Sequence, residues 1–229
     1  MRATELRRAR GMSLIEVLIS MVIVSVGALS ATSLQIVTKR TNRDAAQRLE
    51  ATHLASSVIE RMRTNNAPAA LATYVALAQY TTAAPRPMGG GVLAAAVAPS
   101  CSSDASLCCP DGTQCCLPGT SCTSEQIATV ELFQLEWVMD GLMEQAGGVE
   151  AGGLDAPATC IQGPTVPGDD GFYTVTVAFR GSLAIAADPA INCGIDALDS
   201  ATGEKLYGEN NEFRRTLTVS AFIAPSVPK

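Results

Sequence analysis

From Val17 to Val37 the chain carries no charge, and its apolar residues are interrupted only by Ser, Thr, Gly27 and Gln35. A helix over this run, rising about 1.5 Å per residue, is roughly 31 Å long and spans a bilayer. Residues 39–64 contain neither Gly nor Pro, so the helix is expected to continue through them. Ala45, Leu49, Thr52, Ser56, Ile59 and Met62 or Arg63 recur there at three- and four-residue steps, which predicts a narrow, weakly apolar face for packing on a globular head. Lys39, Arg40, Arg43, Arg48, Arg61 and Arg63 fall elsewhere and read as a solvated face. Asn65-Asn66-Ala67-Pro68 ends the helix, because Asn tolerates a left-handed turn and Pro cannot continue it.

Beyond the helix the pattern weakens. Residues 67–100 are rich in Ala, Pro, Gly and Thr; Tyr74, Val75, Leu77 and Tyr80 predict a helical turn or two, and the rest reads as loop. Thr123 with Gln126 forms a capping box for a helix over about 124–145. Its Ala128, Leu132, Leu135, Met139 and Leu142 make one apolar face for the head's sheet, with Glu131, Glu136, Asp140 and Glu144 around it as an exposed acidic face. Gly147-Gly148 and Gly152-Gly153 open a loop that carries Cys160 and runs to Asp170. Alternation then predicts a strand from Phe172 to Phe179, a turn at Arg180-Gly181, a strand over Ser182–Ala186, a loop with Cys193, and a long strand from Phe213 to Ile223. Helices followed by short-linked antiparallel strands give an α+β head.

Charge fixes a topology. Arg2, Arg7, Arg8 and Arg10 stand against Glu5 before the apolar run, so the N-terminus is expected in the cytoplasm and the head outside the inner membrane. The formal charge is −6; without residues 1–11 the side chains carry −9, which gives no electrostatic footprint for nucleic acid. The one histidine, His53, sits at a helical position among Thr52, Leu54 and Ala55 and reads as a surface or interface residue. No nucleophile motif or phosphate-binding Gly loop is present. The carboxylates of the second helix read as solvated charge, not as an acid and base pair. No enzymatic activity and no cofactor are expected.

Cysteine is concentrated. Cys101, Cys108, Cys109, Cys115, Cys116 and Cys122 fall within one short loop, interrupted by the turn sequences Pro110-Asp111-Gly112 and Pro118-Gly119. Cys160 and Cys193 bring the total to 8. In the cytosol such spacing suggests a metal site; outside the inner membrane an even count reads as a disulfide scaffold, with no metal expected. Locally the run resembles the paired-cysteine core of granulin-like mini-domains.

A plain anchor does not explain Glu16. A carboxylate at the start of an apolar run costs about 2.5–3.5 kcal/mol to insert, and such a charge needs a partner. The basic leader, Gly11-Met12-Ser13-Leu14-Ile15-Glu16 and the unbroken apolar helix together resemble the signal of the type IV pilin superfamily. That resemblance implies cleavage between Gly11 and Met12 by a prepilin peptidase/N-methyltransferase, N-methylation of Met12, and retention of the helix. Glu16 would be the assembly glutamate, meeting a neighbouring subunit's N-terminal ammonium when helices pack. The family's common Phe is replaced here by Met12, and the proline often found in the helix is missing. The implied organisation is a leader over 1–11, a pilin helix over 12–66 with its transmembrane half at 14–38, and a head over 67–229 that includes the Cys-rich loop 101–122.

The order of the remaining elements sharpens the likeness. Glu60-Arg61-Met62-Arg63-Thr64-Asn65-Asn66 at the helix end, a helix centred on Trp137, Tyr173-x-Val175-x-Val177 and Arg215-x-Leu217-x-Val219 resemble the PilV-type minor pilins, the type IV pilus modification proteins. The resemblance implies a long pilin helix packed on a small antiparallel sheet with a disulfide-rich loop. It further implies a role in pilus initiation or a tip complex, in motility or adhesion. The implied partners are other minor pilins and the major pilin through the N-terminal helices, and the inner membrane, with the mature protein ending in the fimbrium at the cell surface. A minor pseudopilin of a type II secretion system shares signal and architecture. An anchored periplasmic metal-binding or redox protein built on the cysteines is a reading of a different class.

Overall fold

The computed structural model describes residues 13–93, 122–141, 145–146, 149–150, 152–199 and 202–226. Its first helix, α1, runs Leu14–Thr64. Two compact units divide the chain, Met1–Arg43 and Asp44–Lys229, and α1 contributes to both.

Within the second unit α1 buries Ala51, Leu54, Ala55, Val58, Ile59 and Met62. This face shares Ile59 and Met62 with the one the spacing predicted and departs from it before them. Ala45, Thr52 and Ser56 are exposed, and Leu49 is 72% exposed. The competing stripe offers Leu54 and Val58 in place of Thr52 and Ser56, and each fully buried Val or Leu contributes about 1.5–3 kcal/mol. The larger apolar area decides which way the helix turns.

The helix stops where Asn65 and Asn66 were expected to stop it. Asn65 Nδ2 donates to the Ser124 carbonyl at 2.8 Å, and Asn66 Nδ2 to the Ala224 carbonyl at 3.1 Å, so both asparagines tie the corner to later chain. Helix α2, Pro68–Ala78, follows with Pro68 in its first turn, where a missing N–H costs nothing. It is longer than the turn or two expected, because its alanines are strong helix formers and Leu71, Tyr74 and Val75 are buried.

Helix α3, Ser124–Met139, opens on the predicted capping box. Gln126 N–H donates to Thr123 Oγ1 at 3.3 Å and Thr123 N–H to Gln126 Oε1 at 2.9 Å. It ends earlier than 145. Gly141 adopts φ 74°, and a Cβ there would strike the Gly152 carbonyl, so chain reversal at Asp140-Gly141 overrides the apolar periodicity.

A two-stranded hairpin joins β1, Gln145–Ala146, to β2, Val149–Glu150. The main sheet is antiparallel in the order β3-β4-β5, with β3 Ala158–Gln162, β4 Gly171–Arg180 and β5 Arg214–Ile223. The third strand is not where the sequence pattern predicts it. Ser182–Ala186 is not a strand; Ser182 N–H and Oγ–H donate to the Asp44 carboxylate at 3.0 Å each, Ile185 N–H donates to the Glu212 carbonyl at 2.8 Å, and Arg215 Nη2 donates to the Leu183 carbonyl. The strand lies instead in the stretch read as loop, at Ala158-Thr159-Cys160-Ile161, all four buried. Strand β3 is at the edge of the sheet but covered on both faces, and that cover selects a short, uniformly buried run rather than an alternating one.

Both faces of the sheet are covered. Inward, Tyr173, Val175, Val177 and Phe179 of β4 join the core made with α1, α2 and α3. Outward, Ala158 and Ala178 pack under Ala197, Leu206 and Tyr207 of the β4–β5 connection. That connection is fastened to the outer face by a disulfide between Cys160 on β3 and Cys193, which closes a sequence separation of 33. Closing a loop of this size constrains the unfolded chain by about 3–4 kcal/mol. The double substitution Cys160→Ser/Cys193→Ser is expected to lower urea-unfolding stability by that amount; an unchanged midpoint would show that the connection is held without the bond.

Candidate functional site

At the start of α1, the Ser13 carbonyl accepts from Glu16 N–H at 3.0 Å and from Val17 N–H at 3.3 Å. Glu16 therefore lies in the first turn, where the unsatisfied N–H groups of the helix end favour a negative charge. Its side chain is exposed, and the apolar side chains on either side of it are exposed as well, with Leu14 at 81% and Leu29 at 70%.

The hydroxyl side chains in this stretch are satisfied within the helix. Ser20, Ser25, Ser30 and Ser33 donate their hydroxyls to carbonyls three or four residues earlier, as do Thr32 and Thr38. In hydrocarbon an unpaired hydroxyl is costly, and back-bonding removes that cost without a second chain. Among the described residues this is the one helix long and apolar enough to cross a membrane. Gly11 and Met12, the predicted cleavage and methylation positions, lie outside the described residues.

Residues 6–32 match the prokaryotic N-terminal methylation motif. The motif supports a type IV pilin-like or pseudopilin-type prepilin. It spans Gly11, Met12 and Glu16 and ends at Thr32 inside the apolar run. No curated protein matches the chain. No solved structure matches it. The long N-terminal helix, three-stranded antiparallel sheet and Cys160–Cys193 bridge form the α+β arrangement expected of a pilin.

Of the clustered cysteines, Cys101, Cys108, Cys109, Cys115 and Cys116 lie outside the described residues. Cys122, immediately before α3, is disulfide-bonded. Among the described residues no three His, Cys, Asp or Glu side chains are placed to hold a metal ion. His53 is exposed on α1.

Glu136 and Asp140 are not part of a solvated acidic face, and Glu144 lies outside the described residues. Glu136 is fully buried, and its Oε1 accepts from Gly89 N–H at 2.7 Å and Leu93 N–H at 2.9 Å. One turn on, Asp140 accepts from Gly90 N–H at 2.6 Å and Gly91 N–H at 2.9 Å. Gly89, Gly90 and Gly91 all have positive φ, which turns successive N–H groups to one side, a concavity suited to anions. The protein supplies the anions itself. The signal was available in the sequence: Glu136 is four residues after Leu132 and three before Met139, so it falls on the apolar face of α3.

Arg214 is the buried cation of the head, 3% exposed. Its guanidinium donates to the carbonyls of Asp188, Ile191 and Cys193 at 2.6–2.9 Å, and burial pulls its pKa down. It holds the β4–β5 connection beside the disulfide. Burial also raises the pKa values of Tyr74, Tyr173 and Tyr207, and the Tyr74 hydroxyl donates to Glu131, which raises it further. Folded tyrosines held above the ordinary 10.0 keep their protons after the unfolded chain has lost them, so stability is full below about pH 10 and lost above it. Tyr74 and Tyr207 are each expected to remove up to about 1.4 kcal/mol per pH unit in that range. Urea midpoints compared at about pH 9 and about pH 11 test this; equal midpoints would refute it.

Proposed function

We propose that this chain is a minor pilin of a type IV pilus. It is made as a prepilin, cut between Gly11 and Met12 by the prepilin peptidase, and N-methylated on Met12. It waits in the inner membrane with its N-terminus cytoplasmic and its head periplasmic. It then joins other pilins through α1 in the complex that initiates the filament or occupies its tip. The supporting observation is the N-terminal methylation motif at residues 6–32, whose part from Leu14 onward lies on a helix with exposed apolar side chains. Exposed apolar area of this kind is stable only in lipid or against other helices, and the motif selects helices of the same class. Function then lies in packing and docking, and no bond is made or broken by this chain. The choice of a pilus over a secretion pseudopilus rests on the PilV-like pattern of the head strands and α3.

The test is the intact mass and N-terminal peptide of the protein from its native membrane, together with its presence in filaments sheared from the cell surface. A mature chain beginning at methylated Met12 and found in sheared filaments is the expected result. Retention of Met1, or cleavage after Val37, would end the pilin reading. Correct processing with the protein confined to the periplasm would move it to the secretion system.

A further inference from the structure

The two edges of the main sheet are finished differently. At β3 the outward N–H of Thr159 donates to the Met88 carbonyl at 3.1 Å, so that edge is covered. In an antiparallel ladder residues alternate between facing the neighbouring strand and facing away. Gly181 N–H donates to the Phe213 carbonyl at 2.8 Å, which turns the odd-numbered residues of β5 toward β4 and the even-numbered ones outward. Arg214 N–H accordingly turns back to the Asn211 carbonyl at 3.0 Å. After it, the backbone groups of Thr216, Thr218, Ser220 and Phe222 point outward and pair with nothing among the described residues.

Protections that proteins place on such edges are lacking here. No charge and no proline occurs from Thr216 to Ile223, and the β4–β5 register runs without a bulge from Arg214 to Ile223. Leu217 and Val219 pack against the core yet are only partly buried, because their flank has no neighbouring strand. On the outer face Phe172 and Phe222 are 70% and 53% exposed, their rings edge to face with centroids 5.6 Å apart.

We propose that the outward edge of β5, unpaired among the described residues, accepts an extended segment of a partner protein as a fourth strand. The alternating donors and acceptors specify the occupant, since an extended chain presents the complementary row at the same spacing. The side chains specify its composition: alternate apolar residues beside Leu217 and Val219, and an apolar or aromatic residue beside Phe222 and Phe172. The inference rests on the head alone and stands apart from the pilin reading.

The test titrates the full chain in detergent with a synthetic peptide of alternating threonine and valine carrying one phenylalanine, and reads backbone amide exchange. Amides of Thr216, Thr218, Ser220 and Phe222 are expected to slow by about tenfold or more, while those of Leu217, Val219 and Ala221, already bonded to β4, change little. Thr218→Pro removes one outward N–H without touching the β4 ladder, and Thr218→Lys adds an edge charge. Either is expected to leave exchange at Leu217 and Val219 unchanged and weaken peptide binding by about tenfold. Binding that survives both substitutions, or protection absent from these four amides at saturating peptide, overturns the proposal. A dimer of the chain alone that protects the same amides assigns the edge to a second copy and overturns the partner strand.

Discussion

Glu16→Val is expected to be cleaved and inserted normally and then to enter filaments at about one tenth of the wild-type level or less. The substitution removes a charge from the first turn of α1, so insertion into lipid becomes easier by about 2.5–3.5 kcal/mol. The loss comes at assembly, on the proposed reading that Glu16 meets a neighbour's N-terminal ammonium. Taking away one partner of a desolvated pair costs about 3–5 kcal/mol, because the other charge stays buried and alone. Glu16→Gln keeps a hydrogen-bond acceptor and should fall between the two. The ratio of protein in sheared filaments to protein in membranes reads the effect directly. Wild-type ratios for Glu16→Val would remove Glu16 from assembly.

The second large effect is expected inside the head. Glu136→Ala strips the acceptor from Gly89 N–H and Leu93 N–H and leaves a space beside Leu132 and Met139. Each buried donor left unpaired costs about 1–3 kcal/mol, and the loss of side-chain volume adds to it, so the head should lose about 3–5 kcal/mol. Glu136→Gln retains one carbonyl oxygen at the same place and should cost less than half as much. Trp137, the neighbouring residue and the sole tryptophan, reports the transition by fluorescence in urea. Equal midpoints for Glu136→Ala and the parent would mean that the glycine turn holds itself.

Much of the fold was legible from local rules. Thr123 and Gln126 capped α3 as a reciprocal pair does, the asparagines ended α1, and the alternation from Tyr173 and from Arg215 placed β4 and β5. Where the reading failed, tertiary area outweighed local pattern. Two stripes on α1 had nearly equal periodicity, and only the partner surface chose Leu54 and Val58 over Leu49 and Thr52. Strand β3 has no alternation because it is covered on both faces, so Thr159-Cys160-Ile161 between Pro157 and Gly163 looked like loop. Glu136 was misplaced for a different reason: residue type was allowed to overrule helical geometry. Of the site, the apolar helix and Glu16 were visible as a charge in the wrong place, whereas the outward row of amides on β5 exists only once the register is known.

The contact between Thr159 and Met88 carries one more consequence. A sheet open at both edges can add strands indefinitely, which is the route to fibrils. Here one side is already closed by the chain's own turn, so strand addition has a single direction: a guest on β5 becomes the new border, and any further strand can add only to the guest, never beyond β3.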